Sequence, residues 1–346
     1  MRATRAGLAL CLLAATFAAL PLTASAALEG VRSRDHVAVI VLENQNFDSS
    51  WGPASVAHYL NSLRAQGTFD DQYYATGHVS LDNYIAMMSG QPWNPITGSD
   101  CLAVNLWTCV QLQRLWSKGR NFADQLEIWH KTWKGYMDSM PSPCFHGDYA
   151  PTALPPDPIQ GNSTAPPAKD YADRHNPFLY FPDIINNSAR CTQHVRPYTD
   201  LAADLAADRL PNFAFITPDT CHDGHDAPCA NGAPGGLTSA DAWLQNEVPP
   251  LLSYLNAHNG ELIITFDENG FSDGPPFGCC HGGLLGLPGF GGRVGLLALG
   301  PGIAPGRTVH TKYDHASLLR TLEDTFRINW YLNNAARSKP MADVVS

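Results

Sequence analysis

Acidic and imidazole side chains gather immediately after apolar runs in this sequence. Glu43-Asn44 follows HVAVIVL (36–42), and Asp267-Glu268 follows LIITF (262–266). After FAFIT (213–217) come Asp219 and then Cys221-His222-Asp223-Gly224-His225-Asp226. Carboxylate and amide oxygens with histidine are the donor set of a hard or borderline divalent cation. Their spacing matches no short zinc or EF-hand pattern, so the signal lies in the constellation rather than in one motif. A hydrated metal or a phosphate is the ligand it suits. His315 stands in Tyr313-Asp314-His315-Ala316-Ser317 at the start of an expected helix, where a cap, a surface histidine and a catalytic one all fit the pattern. His281, in Gly278-Cys279-Cys280-His281-Gly282-Gly283, lies on a loop that either approaches such a site as a substrate contact or merely turns.

A further candidate is the serine of GHVSLDNYIAMMSG (77–90). Leu81, Tyr84, Ile85 and Met88 recur at helical spacing, which predicts a helix from about residue 81 with Ser80 at its N-cap. There the hydroxyl would accept a backbone N–H that the first turn leaves unsatisfied. The same position favours a bound anion such as phosphate. Capping and attack on a ligand are compatible, so this stretch alone leaves both open.

The elements that must position these residues are four apolar runs, 36–42, 213–217, 262–266 and 294–299, read as buried strands. Near-continuous hydrophobicity with helical patterns between the runs predicts an α/β fold with a mostly parallel central sheet and helices on both faces. One such helix is expected over 238–248, stopped or kinked by Pro249-Pro250, and another over 314–326. Ligands of such sheets bind beyond the carboxyl ends of the strands, where the acidic pairs fall. The texture changes over 91–209, with Trp93, Trp107, Trp116, Trp129, Trp133, four cysteines and proline-dense loops. That segment reads as a loop-rich, disulfide-containing cap insertion in a single domain over 27–346, with one helix at 121–132.

Residues 1–26 carry a basic start, an apolar run and the ending Ala24-Ser25-Ala26, the pattern of a secretory signal peptide cleaved before Ala27. The run is too short for a good membrane span, so a secreted or periplasmic protein without stable membrane insertion is expected. Eight cysteines remain after the leader, an even set for which disulfides are the default in an oxidising compartment. Short separations suggest Cys101 with Cys109 and Cys221 with Cys229, leaving Cys144 with Cys191 and a vicinal Cys279–Cys280 pair. Spacing alone does not establish this connectivity. A formal charge of −10 disfavours a nucleic-acid partner.

Five ordered motifs resemble the phosphoesterase family of bacterial secreted acid phosphatases and phospholipases C, which has an alkaline-phosphatase-like fold. They are Glu43-Asn44; His78-Val79-Ser80-Leu81-Asp82-Asn83-Tyr84; Ile216-Thr217-Pro218 leading to Asp223-Gly224-His225-Asp226; Thr265-Phe266-Asp267-Glu268; and His315 with Leu318-Leu319-Arg320-Thr321-Leu322-Glu323-Asp324. The order runs from about residue 35 to 328, and 91–209 contributes no motif. The chain departs from many relatives at Val79, where they carry proline, and at Asp219 and His222, where they carry asparagine.

The resemblance implies that Ser80 is the nucleophile and, with Glu43, Asn44, Asp267 and Glu268, part of a divalent-metal site. It also implies that His225 and His315 line the phosphate pocket and that His78 and Asn83 flank the nucleophile, Asn83 donating to a phosphoryl oxygen. The implied activity is that of a secreted, metal-dependent acid phosphatase acting on phosphate monoesters through a phosphoserine. Its substrates would be small phosphate esters or phosphoinositide and phospholipid headgroups. The alternative is a phospholipase C or other phosphodiesterase. A sulfatase would need a Cys/Ser-x-Pro-x-Arg stretch, which Ser80-Leu81-Asp82-Asn83 does not supply. A binding protein without turnover would have no need of an activated hydroxyl.

Overall fold

The apolar run 36–42 forms β1 (His36–Leu42), and every residue after His36 is buried, as a central strand requires. The structure, a computed structural model, describes residues 30–154, 170–270 and 278–346, so the expected leader lies outside the described residues. Along the chain follow β2 (Thr68–Asp70), β3 (Tyr73–Tyr74), β4 (Trp133–Met137), β5 (Val195–Pro197) and β6 (Phe213–Thr217). Then come β7 (Gly260–Phe266), β8 (Leu296–Leu299), β9 (Arg307–Val309) and β10 (Tyr313–Asp314).

Eight strands form one sheet in the order β5-β4-β6-β1-β7-β8-β2-β9, and β3 pairs with β10 in a second, two-stranded sheet. From β5 through β7 all neighbours are parallel, whereas β8 runs antiparallel to both β7 and β2. The α/β class and the largely parallel sheet agree with the sequence reading. No helix among the described residues is long and apolar enough to cross a membrane.

The expected cap over 91–209 needs correction, because its residues supply β4 and β5 to the central sheet. β4 reads WKGYM, and its pattern is hidden by Lys134, which pairs with Asp204 at the strand's edge. Gly135 breaks it again, because a Cβ there would collide with the Phe178 ring. The helix expected over 121–132 is shorter, Phe122–Ile128, with a capping box between Asn121 and Asp124, and the chain then turns into β4.

The helix expected over 238–248 instead spans Gly236–Ala257 and passes through both prolines. Pro249 and Pro250 lack the N–H groups that the carbonyls of Gln245 and Asn246 would otherwise accept, and all four residues are exposed. Val248, Leu251 and Leu255 stay buried on the other side and hold the helix against β7. All four disulfides pair as suggested: Cys101–Cys109, Cys144–Cys191, Cys221–Cys229 and Cys279–Cys280.

Candidate active site

The parallel register of β1 and β7 brings the first two acidic pairs together. Leu42 lies opposite Phe266, so Glu43 and Asp267 emerge side by side, and Asp267 N donates to Leu42 O at 2.8 Å. On the other flank β6 pairs with β1, and the loop after it returns so that Glu43 N donates to Asp223 O at 2.9 Å. Asn44 takes a left-handed conformation (φ 52°), which asparagine tolerates better than most residues. This lets its N–H reach Asp267 Oδ1 at 3.0 Å.

Ser80 opens the fully buried Ser80–Ser89 helix, one residue later than a capping position. The expected cap is thereby corrected: Ser80 is 2% exposed, and its Oγ donates to Glu43 Oε2 at 2.9 Å instead of accepting from the helix. The acceptor role passes to Asp100, whose Oδ1 takes Leu81 N at 2.9 Å. Asn83 also departs from expectation. Its Oδ1 accepts from Thr76 N and Gly77 N, and its Nδ2 donates to Gly77 O and Val79 O. The amide therefore clamps the loop before Ser80 instead of pointing donors at a ligand. Gly77 is required in that loop because a Cβ would strike Asp82 and Trp93.

Asn44, Val79, Ser80, Asp100, Arg174, His225 and Glu268 line one open pocket of about 250 Å³. His225 stands at its mouth with Nδ1 on Asp226 Oδ1 at 2.7 Å, while its backbone N–H donates to Asp223 Oδ1 at 2.8 Å. Arg174 Nη2 lies 3.4 Å from His225 Nε2. His78 turns Nδ1 onto Glu268 Oε2, so its first contact is with the carboxylates. His315 is a correction in position. It is fully buried, with Nδ1 on Tyr73 OH at 2.9 Å and Nε2 on the Asp267 carbonyl at 2.7 Å. Both nitrogens thus brace the site from behind, and burial pushes the imidazole down to about 4. His281 is held through its backbone, its N–H on Asp314 and its carbonyl on Asn334, away from the pocket lining. Asp219 and His222 also lie apart, His222 Nδ1 sitting 2.9 Å from both Asp138 and Asp219.

Electrostatically the floor is strained in one direction. Burial, then the neighbouring Asp267, raises the Glu43 carboxyl well above its ordinary range. Burial followed by Asp267 and Glu43 does the same to Glu268, and burial lifts Asp267 to about 7. Three buried carboxyls crowded together favour either protons or a cation. Among the described residues, the buried Asn44 Oδ1 and Asp267 Oδ2 have no hydrogen-bond partner. An all-oxygen set with unpaired acceptors fits a hard divalent ion held by Glu43, Asn44, Ser80, Asp267 and Glu268.

Three residues here escaped sequence reasoning. His175 sits between two site carboxylates, Nε2 3.2 Å from Glu43 Oε1 and Nδ1 3.3 Å from Asp223 Oδ2. Arg174 precedes it, and Asp100 comes from the turn before Cys101. The available signal was Asp173-Arg174-His175-Asn176, four polar residues set between Tyr171 and the apolar run Phe178-Leu179-Tyr180-Phe181. All four are buried.

Comparison with known proteins shows the family and the fold. The profile of the Phosphoesterase family matches residues 53–329. A probable acid phosphatase of Kluyveromyces lactis is 27% identical over 89% of this chain and 61% of its own. A phosphate-repressible acid phosphatase of Penicillium chrysogenum is 26% identical over 94% and 65%. The chain thus spans less than two thirds of these fungal relatives. A phosphatidylinositol-3-phosphatase of Mycobacterium tuberculosis is 24% identical over 89% of this chain and 82% of its own. Among solved structures, an alkaline phosphatase superfamily protein of Vibrio parahaemolyticus superposes with a TM-score of 0.55 at 15% identity, covering 90% of this chain and 72% of that one. That likeness shows the fold.

Proposed function

The chain belongs to the Phosphoesterase family, and from that premise we propose that it is an exported, metal-dependent acid phosphatase that hydrolyses phosphate monoesters through a phosphoserine at Ser80. The observation that carries this reading is the 2.9 Å hydrogen bond from Ser80 Oγ to Glu43 Oε2, in a pocket that Asp100, Arg174, His225 and Glu268 also line. A serine that neither caps its helix nor faces bulk water, but lies among cation-demanding carboxyls, is placed for activation.

A divalent ion among Glu43, Asn44, Asp267 and Glu268 would supply positive charge that favours the deprotonated Ser80 oxygen and offsets charge on the phosphoryl oxygens. Ser80 Oγ passes its proton to Glu43 Oε2, its hydrogen-bond acceptor, and bonds to phosphorus as the ester P–O bond breaks. As general acid, His225, held at Nδ1 by Asp226, gives a proton from Nε2 to the leaving alkoxide. Water, giving a proton to His225, then bonds to phosphorus as the Ser80 O–P bond breaks, and Glu43 returns its proton to Ser80 Oγ, releasing inorganic phosphate and restoring the hydroxyl. Arg174 faces the phosphoryl oxygens during both transfers.

The relatives named acid phosphatase support the acidic range, and the mycobacterial relative supports phosphoinositide headgroups beside small phosphate esters as substrates. Four disulfides support work in an oxidising compartment. The test is Ser80→Ala assayed on p-nitrophenyl phosphate beside chelated and cation-restored wild type. The variant is expected to keep its circular dichroism and lose turnover, and chelation to remove activity reversibly. Undiminished hydrolysis by folded Ser80→Ala would refute the assignment.

A further inference from the structure

Asp100 and Arg174 belong to none of the ordered motifs, yet both line the pocket that contains Ser80. They arrive from separate segments, Asp100 just after the Thr97–Ser99 turn and Arg174 inside the Asp173–His175 turn. Both are over nine-tenths buried, at 8% and 5% exposure. Burying a guanidinium is costly unless a partner offsets it. Asp100 is one such partner, with Oδ2 3.7 Å from Arg174 Nε. The same carboxylate takes Leu81 N at 2.9 Å through Oδ1, so one side chain ties the arginine to the first turn of the serine's helix. On its other side Arg174 Nη2 meets His225 Nε2 at 3.4 Å.

The pocket lining therefore brings Glu268, Asp100, Arg174 and His225 together around Ser80, whose Oγ is bonded to Glu43. A phosphoryl group placed at Ser80 Oγ shares this pocket with the Arg174 guanidinium, which can meet its terminal oxygens. A monoester dianion has three terminal oxygens and two charges. A diester has two terminal oxygens and one charge, with an ester substituent in place of the third. A guanidinium is a planar fork of donors suited to terminal phosphate oxygens and offers nothing to an alkoxy substituent.

We propose that Arg174 is a specificity-determining residue that selects phosphate monoesters over diesters, with Asp100 as the positioning residue that couples it to the Ser80 helix. This rests on the phosphatase reading of the same pocket. It adds the source of the substrate preference.

The experiment compares kcat and KM for p-nitrophenyl phosphate and bis-p-nitrophenyl phosphate in wild type, Arg174→Ala, Arg174→Lys, Asp100→Asn and Ser80→Ala. Arg174→Ala is expected to lower monoester kcat/KM on the order of 100-fold and diester kcat/KM far less, so the ratio falls at least about tenfold. Arg174→Lys keeps the charge without the fork and recovers part of the loss. Asp100→Asn retains an acceptor for Leu81 N but not the charge, so it shifts the ratio the same way, mainly through monoester KM. If diester turnover is below detection, competition by inorganic phosphate against dimethyl phosphate gives the same comparison. Equal losses on both substrates, or an unchanged ratio, overturn the proposal. Should Arg174→Ala fail to fold, an unchanged ratio in Arg174→Lys and Asp100→Asn overturns it. Monoester turnover surviving in Ser80→Ala overturns the phosphatase reading instead.

Discussion

At Asn83 the family resemblance and the contacts imply different outcomes for one substitution. A substrate-binding amide would show its loss in KM. An amide that accepts Thr76 N at 2.9 Å and Gly77 N at 3.0 Å shows its loss in stability, because two buried donors are left unpaired. Asn83→Ala is therefore expected to cost about 2–4 kcal/mol in urea unfolding. It should lower kcat through disorder of the loop before Ser80, with KM nearly unchanged. A raised KM at wild-type stability would restore the substrate-binding role. Residue types near Ser80 were legible because they follow apolar runs directly. Asp100, Arg174 and His175 were not, because long excursions of the chain deliver them and only tertiary packing brings them to Ser80.

Among the elements, legibility followed burial on both faces. β1 and β6 are found at their expected bounds, and their register with β7 brings Glu43 to Asp267. β4, between β5 and β6, and β5, at the sheet's edge, were lost because lysine, glycine, arginine and proline break their short apolar runs. The same contrast between local and distant constraint separates two disulfides. Cys221–Cys229, with a separation of 8, frames the loop that carries Asp223, His225 and Asp226, whereas Cys144–Cys191 spans 47 residues away from the pocket lining. Loop-closure entropy assigns about 2.5 kcal/mol to the first and about 4 kcal/mol to the second. Paired serine substitutions should consequently invert the ranks. The Cys144/Cys191 pair is expected to lose more stability, and the Cys221/Cys229 pair more kcat, measured on p-nitrophenyl phosphate with the folded fraction determined in parallel. A larger kcat loss in the Cys144/Cys191 variant would detach the His225 loop from catalysis.

For the molecule as a whole, buried carboxyls distant from the pocket tie folding to acidic conditions. Burial raises Asp70, at the end of β2, to about 8, and it raises Glu323, inside the His315–Thr325 helix, to about 8. A folded-state pKa above the unfolded value means that the native protein holds more protons across the interval between the two values. Stability is then fully present below about pH 4 and falls as pH rises toward 8. The formal charge of −10 adds self-repulsion in the same direction as carboxyls ionise. Urea unfolding at constant cation concentration should give a free energy higher at pH 5 than at pH 8 by a few kcal/mol. Glu323 Oε1 accepts from Gln125 Nε2 at 2.8 Å and Leu332 N at 2.9 Å, and Glu323→Gln keeps a carbonyl oxygen for both. That variant is expected to flatten the slope and to be the more stable form at pH 8, with little change at pH 5. Stability that instead rises from pH 5 to 8, or a slope untouched by Glu323→Gln, would show that this carboxyl ionises within the fold and that the acid preference does not reside in these buried groups.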